Sequence, residues 1–313
     1  MIQARGLART FPTKHGEVAA VRGVDLDVAP GEIVGFLGPN GAGKTTTLRM
    51  LTTLLAPTAG TATVAGHDLR ADPAGVRRRI GYVAQTGGTD PATPVGEELE
   101  LQARLYGVPG RAERIAKLCA RLELDGLAAR PSAALSGGQR RRLDIALGLV
   151  HRPPLVFLDE PTTGLDPQSR GNLWEHIRRL RDEDGTTVFL TTHYLDEADA
   201  LCDRLLIIDR GRIVAEGTPD ELKRRVSGDV VTLELGAGAE RARAALEAHP
   251  AVREATADGG TVRLTVDNGD RELMGLVRAL DAAGVELTSL RLARPTLDDV
   301  FLTVTGRSLR EAA

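Results

Sequence analysis

Gly38-Pro39-Asn40-Gly41-Ala42-Gly43-Lys44-Thr45-Thr46 fits the pattern G-x-x-x-x-G-K-[ST] in full, directly after the apolar run Ile33-Val34-Gly35-Phe36-Leu37. The physical content of that pattern is a cradle. Glycines at 38, 41 and 43 let the backbone turn tightly with its N–H groups aimed inward, and a helix opening near Gly43 adds the positive end of its dipole. A polyphosphate is then held mainly by main chain, while Lys44 meets the β- and γ-phosphates and the Thr45 hydroxyl ligates Mg²⁺. A glycine-rich turn that merely joined a strand to a helix would need no Lys-Thr in this register.

Leu155-Val156-Phe157-Leu158-Asp159-Glu160-Pro161 supplies the acids. Asp159 ends an apolar strand, which puts a carboxylate beside the phosphate loop to hold the Mg²⁺ shell. Glu160, one residue on, is the candidate general base for a water in line with the γ-phosphate. A helix cap, the ordinary use of an Asp-Glu pair, does not fit between that apolar run and Pro161-Thr162-Thr163-Gly164-Leu165-Asp166. Leu135-Ser136-Gly137-Gly138-Gln139 is a second anion-binding device, in which Ser136 and the N–H groups of two glycines at a helix start can grip a γ-phosphate.

The elements that position these residues follow from the pattern. Short runs of Val, Ile and Leu alternate with segments of helical period to about residue 225, the mark of an α/β domain with a mostly parallel sheet. Strands are expected at Glu32–Leu37, Leu155–Leu158, Thr187–Leu190 and Arg204–Ile208, with amphipathic helices at Leu99–Leu105 and Asn172–Leu180. Around Ser227-Gly228-Asp229 the pattern resets, giving domains at residues 1–227 and 228–313. The second reads as strand Val230–Leu235, helix Ala239–Ala248, a hairpin of Val252–Thr256 and Thr261–Val266, helix Arg271–Ala282 and strand Val285–Leu290. That order, βαββαβ, fits a small α+β ferredoxin-like domain.

Composition narrows the function classes. The chain has 313 residues, 42% hydrophobic and 27% charged, and no apolar stretch approaches the ~18 to 20 residues of a membrane helix. Any membrane role is therefore expected to be peripheral. Met1–Thr10 lacks the charged-then-apolar layout of a secretory signal, and the 2 cysteines, Cys119 and Cys202, exclude a disulfide framework, so a reducing cytosol is expected. Zinc sites are not expected, on the same ground. A net charge of −3 argues against a broad nucleic-acid face; residues 228–313 alone carry 10 arginines against 14 acidic residues. The run Arg140-Arg141-Arg142 reads as a solvated helix face.

With LSGGQ followed by an arginine-rich helix and then by LVFLDEP, the sequence resembles the ATP-binding cassette (ABC) ATPases. The resemblance implies a P-loop NTPase cassette with a RecA-like core, an antiparallel β subdomain and a helical subdomain, binding ATP and Mg²⁺. It implies too that two copies pair head to tail, the phosphate loop of each facing Ser136–Gln139 of the other, with Asp166 of the D-loop crossing the seam. Gln85, in Gly81-Tyr82-Val83-Ala84-Gln85, matches the Q-loop glutamine that senses Mg²⁺ and water. His193, in Thr191-Thr192-His193, matches the switch histidine at the γ-phosphate. The other histidines, His15, His67, His151, His176 and His249, take ordinary surface or core roles. Phe11 is the candidate to stack on adenine, with a core position as the alternative and Pro12 to Val18 as a long loop after it. Trp174 is assigned to packing.

The 91-residue step from Lys44 to Leu135 leaves no room for the long coiled coil of chromosome and repair types, and translation types carry two ATPase units. Thr191-Thr192-His193-Tyr194-Leu195-Asp196-Glu197-Ala198-Asp199, with Pro295-Thr296-Leu297-Asp298-Asp299-Val300-Phe301 and Thr305-Gly306-Arg307, is similar to exporters of the daunorubicin/doxorubicin resistance type. The chain departs from that family at Pro91–Glu97, where a Leu-Thr step more often precedes the Glu. The resemblance implies a separately encoded multi-span membrane permease as partner, a place on the cytoplasmic face of the membrane, and no nucleic acid. An importer ATPase, or a soluble cassette acting on ribosomes or DNA, is the alternative. The second domain is expected to regulate or support the dimer, or to be a passive stabilising lobe.

Overall fold

The computed structural model describes residues 1–14, 16–226 and 228–306, so His15, Ser227 and Arg307 lie outside the described residues. The chain divides into two compact units, Met1–Glu216 and a second beginning at Gly217.

The first unit opens with a hairpin of β1 (Ile2–Thr13) and β2 (Gly16–Val28), followed by β3 (Ile33–Leu37) and α1 (Lys44–Leu51). Next come β4 (Ala59–Val64), β5 (His67–Asp68), α2 (Pro73–Arg79) and β6 (Ile80–Val83). A helical stretch follows: α3 (Val95–Leu105), α4 (Arg111–Arg121), a 3₁₀ turn at Ser132–Ala134 and α5 (Gly137–Leu149). The unit closes with β7 (Leu155–Asp159), α6 (Pro167–Asp184), β8 (Thr187–Thr192), α7 (Leu195–Leu201), β9 (Arg204–Asp209) and β10 (Arg212–Gly217).

These strands form an antiparallel sheet ordered β2-β1-β4-β5 and a six-stranded sheet ordered β10-β9-β3-β8-β7-β6. In the second sheet β9, β3, β8, β7 and β6 run parallel. Every residue of β3, β7 and β8 is buried, which is why they read as unbroken apolar runs and not as alternation. The rings of Phe36 and Phe157 pack on Phe189 at centroid distances of 5.6 and 5.7 Å. Because β3, β8, β7 and β6 are parallel neighbours, their carboxyl ends share one edge, the place where open α/β sheets bind ligands. The loops after all four carry expected site residues.

Two local expectations change. Pro12 to Val18 is not a loop: β1 and β2 stay in register through Phe11↔Val18 and Thr13↔Gly16. Pro12 is tolerated because β1 pairs with β4 only as far as Ala8, leaving this end without a second partner. In the second unit the last strand starts later than expected, because Val285 is tied back to Leu280 O by a 3.1 Å hydrogen bond at the end of the preceding helix.

The second unit comprises α8 (Pro219–Val226), β11 (Asp229–Leu235), α9 (Ala239–Glu247), β12 (Val252–Asp258), β13 (Thr261–Val266), α10 (Gly269–Ala282), β14 (Leu287–Ala293) and α11 (Leu297–Thr305). Its antiparallel sheet is ordered β12-β13-β11-β14, with α9 and α10 packed on it around Val231, Leu233, Leu264 and Leu276. This is the ferredoxin-like βαββαβ arrangement. The unit begins before α8, whereas the sequence pattern resets after it, because α8 packs against α11. Helix α11 starts at a capping box, in which Thr296 and Asp299 each bond the other's backbone N–H. Among the described residues no helix is long and apolar enough to cross a membrane.

Candidate active site

The phosphate loop leaves β3 at Gly38, where a Cβ would lie 2.3 Å from Ile208 O, so only glycine fits against β9. At Gly43 the backbone has φ 108°, and a Cβ would meet Ala20 O at 2.7 Å. Lys44 opens α1 from a buried position, with Nζ donating to Gly38 O at 2.7 Å and Pro39 O at 3.1 Å. The cleft above the loop measures about 300 Å³. Asn40, Gly41, Thr45 and Thr46 line it together with Gln85 and Glu160. Ala20 of β2 lines it as well; no sequence motif marks that small residue.

Glu160 is the hub of the cleft. Its Oε1 lies 3.3 Å from Lys44 Nζ, and its Oε2 accepts from Gln85 Nε2 at 2.8 Å and from Thr163 Oγ1 at 3.3 Å. His193 Nδ1 stands 3.2 Å from the same Oε2, at ion-pair distance but outside hydrogen-bond geometry. Burial pushes the Glu160 carboxyl up, but His193 and Lys44 outweigh it and hold the group at about 2. Burial lowers the Lys44 ammonium, with Glu160 opposing. The Glu160 backbone is left-handed, φ 45°, a conformation that costs a non-glycine residue about 1 to 3 kcal/mol and persists only where its surroundings over-determine it.

Asp159 is buried at the end of β7, and its Oδ1 accepts from Thr45 Oγ1 at 3.1 Å and Thr191 Oγ1 at 2.7 Å. Thr191 also accepts the Glu160 N–H at 3.0 Å, so one β8 hydroxyl steadies both acids, a role that the motif around His193 does not give it. A hydroxyl and a carboxylate meeting beside a phosphate loop are the hard oxygen donors Mg²⁺ prefers, with phosphates completing its shell. Among the described residues no three His, Cys, Asp or Glu side chains gather into a metal cage.

Ser136, Gly137, Gly138, Gln139 and Asp166 do not line this cleft. They lie beside one another: a Cβ on Gly138 would sit 3.1 Å from Ser169 Oγ, and Asp166 caps α6 through Ser169 N at 2.9 Å. Ser136 caps α5 in a capping box with Gln139. Phe11 is also outside the cleft lining and is not a core residue; it is half-exposed, with the Arg9 guanidinium 4.7 Å above its ring.

The arginine run is a correction. Arg140 is exposed, but Arg142 is tucked toward Glu123 at 3.8 Å, and Arg141 is buried. Arg141 donates to Pro161 O at 2.7 Å, Ala84 O at 2.6 Å and Asp159 O at 3.1 Å. Three consecutive side chains on a helix point about 100° apart, so a run of charge does not fix which of them faces inward. Among the other histidines, His67 pairs with Asp72 at 2.8 Å and His151 stacks on Tyr106 at 3.8 Å. Trp174 donates to Glu197 Oε1 at 3.2 Å; Glu197 is buried, and burial pushes its carboxyl up.

A family model described as ABC transporter matches residues 21–163, and one described as the C-terminal domain of DrrA1-3-like ATP-binding proteins matches residues 217–305. The chain is 45% identical to the daunorubicin resistance ATP-binding protein DrrA3 of Streptomyces coeruleorubidus, covering 96% of each. It is 44% identical to the daunorubicin/doxorubicin resistance ATP-binding protein DrrA of Streptomyces peucetius, over 100% of this chain and 96% of that one. It is 34% identical to the linearmycin resistance ATP-binding protein LnrL of Bacillus subtilis, over 99% of this chain and 100% of that one. Among solved structures, the dimeric post-hydrolysis state of the ATP-binding cassette MJ0796 bound to ADP and Pi superposes with TM-score 0.64 at 27% identity, over 70% of this chain and 98% of that one.

Proposed function

This chain belongs to the ATP-binding subunits of ABC transporters of the daunorubicin/doxorubicin resistance type, and from that premise we propose that it powers a separately encoded membrane exporter of drugs, antibiotics or related hydrophobic compounds. The observation that carries the reading is the convergence of Lys44, Gln85 and His193 on Glu160, at the carboxyl ends of four neighbouring parallel strands.

ATP enters over Gly38–Thr46. Its phosphates take the Lys44 ammonium away from the carbonyls of Gly38 and Pro39 and from Glu160, leaving the carboxylate free to accept a proton from water. With Lys44 turned to phosphate, the Glu160 carboxylate loses the ammonium that helps to hold its carboxyl low. Gln85 and His193 then hold the water and the γ-phosphate in line with it. Thr45 and Asp159 would hold Mg²⁺, which would supply charge neutralisation to the phosphates.

Ser136, Gly137, Gly138, Gln139 and Asp166 serve the site of a second copy, in a head-to-tail homodimer with two complete sites; the dimeric MJ0796 cassette supports this. Closure of that dimer on ATP, and its release after hydrolysis, is the motion delivered to the membrane subunit. Leu54 and Tyr106 are exposed and line a cleft of about 220 Å³ with Ile80, Gly81 and Tyr82 of β6, and Leu101 and Leu105 are exposed on α3, whose Gln102 also lines it; this is the surface on which that subunit would dock at the cytoplasmic face of the membrane. The unit from Gly217 on is assigned an accessory role, regulating or supporting the dimer.

The test is to recover the tagged full chain from membrane fractions and assay ATP hydrolysis, wild type beside Glu160→Gln. A polytopic membrane protein that co-purifies, with turnover lost in the variant, is the expected result. Recovery of ribosomes or DNA and no membrane partner would overturn export.

A further inference from the structure

Glu160 projects from a peptide segment whose left-handed backbone would relax if nothing held it. Two of its restraints come from β8, through Thr191. A third is local, the Thr163 N–H donating to Glu160 O at 3.3 Å, and the peptides on either side are held by one side chain on a different element. Arg141, on α5, donates through Nη2 to the carbonyl before Glu160, Asp159 O, and through Nε to the carbonyl after it, Pro161 O. Its Nη1 donates to Ala84 O, the carbonyl of the residue before Gln85, whose amide in turn bonds Glu160 Oε2. Arg141 is 7% exposed, so these bonds are largely shielded from water, and Asp144 one turn along α5 stands 3.8 Å away as its counter-charge. Asp144 in turn faces Gly87, where a Cβ would meet its carboxylate oxygens at 2.9 Å.

We propose that Arg141 is a positioning residue for hydrolysis: it fixes the two backbone segments from which Glu160 and Gln85 project, and it ties both to the helix that Ser136 begins. The inference rests on Glu160 being the base, as proposed above. The chemistry requires arginine. Three carbonyls spread around one plane need N–H groups on three nitrogens in a rigid fork, whereas a lysine presents a single ammonium on a flexible stem. Because Arg141 sits on the helix capped by Ser136, a tilt of α5 when Ser136–Gln139 engage a nucleotide moves the carbonyl frame of the same chain's Glu160.

The experiment uses the full chain with Arg141→Lys and Arg141→Met, each alone and combined with Glu160→Gln. Melting temperature, affinity for a fluorescent ATP analogue and the single-turnover hydrolysis rate are measured. Both single variants are expected to lose at least tenfold in hydrolysis while affinity stays within about threefold, and to cost less than twofold more once Glu160 is already Gln, as non-additivity requires when one residue acts through the other. A hydrolysis rate within twofold of wild type would overturn the proposal. So would equal fold-losses in both backgrounds, or a joint collapse of melting temperature and nucleotide affinity in both variants, which would make Arg141 a support of the fold alone. Full turnover by Glu160→Gln alone would instead remove the base assignment on which the proposal rests.

Discussion

Lys44 Nζ and Glu160 Oε1 lie 3.3 Å apart, and each side chain is less than a tenth exposed. The cation that would bind phosphate and the carboxylate that would activate water thus satisfy each other.

Glu160→Gln keeps the shape and removes the base. ATP affinity is expected to stay near wild type, hydrolysis to fall by about 10² to 10⁴-fold, and an ATP-dependent dimer to accumulate. Single-turnover assays and size-exclusion chromatography with and without ATP check both parts; rapid turnover by the variant would contradict the role.

Acid should loosen the pairing of Lys44 with Glu160. The folded Glu160 carboxyl sits at about 2 against an ordinary 4.5, so its contribution to stability, about 3 kcal/mol, is fully present above the ordinary value and is lost as pH falls through the folded one. Chemical denaturation of wild type and Glu160→Gln from pH 7 downward should show the wild-type advantage intact to about pH 5 and shrinking below that. A difference that stays constant to pH 3 would contradict it.

Glu197 has the opposite sign. Burial raises its carboxyl, so its contribution is present below the ordinary carboxylate value and fades as pH rises through the folded one. At pH 7.5 Glu197→Gln should be at least as stable as wild type. Glu197→Ala, which strips the Trp174 indole of its acceptor, should lose about 1 to 3 kcal/mol. Thermal melts of the two variants side by side decide it.

Leu105 is 73% exposed, on α3 beside the cleft assigned to the membrane subunit. Leu105→Glu should shift stability by no more than about 0.5 kcal/mol and leave ATP affinity unchanged, yet abolish recovery of the membrane subunit in pull-downs. Undiminished recovery would place the partner elsewhere.

The parts of the site built from backbone were the most legible in the sequence. Gly38 and Gly43 announce themselves because no other residue fits against Ile208 O and Ala20 O, and the strand before them is buried on both faces and so reads as a continuous apolar run. Asp159 and Glu160 are legible because they close a buried apolar strand, whereas Gln85 and His193 are named only through the family resemblance. What stayed hidden is what depends on orientation or on distant pairing. Arg141 shares a run with the exposed Arg140, and only the helix phase separates them. Thr191 and Ala20 have no chemistry that singles them out until β8 and β2 are placed beside the acids and the phosphate loop. The extension of the β1–β2 hairpin past Pro12 was obscured by a residue that usually ends strands.

Glu160 and the three residues that meet it, Lys44, Gln85 and His193, follow strands whose spatial order, β3-β8-β7-β6, differs from their order along the chain. A ribosome delivers Lys44 first, then Gln85, then Glu160, and the strand that must slot between β3 and β7 arrives last, bringing Thr191 and His193. Until then the gap between β3 and β7 is open and Asp159 has nothing from β8 to hold it. A chain cut short before β8 would therefore hold Asp159 and Glu160 without Thr191 and His193, and is expected to hydrolyse no ATP.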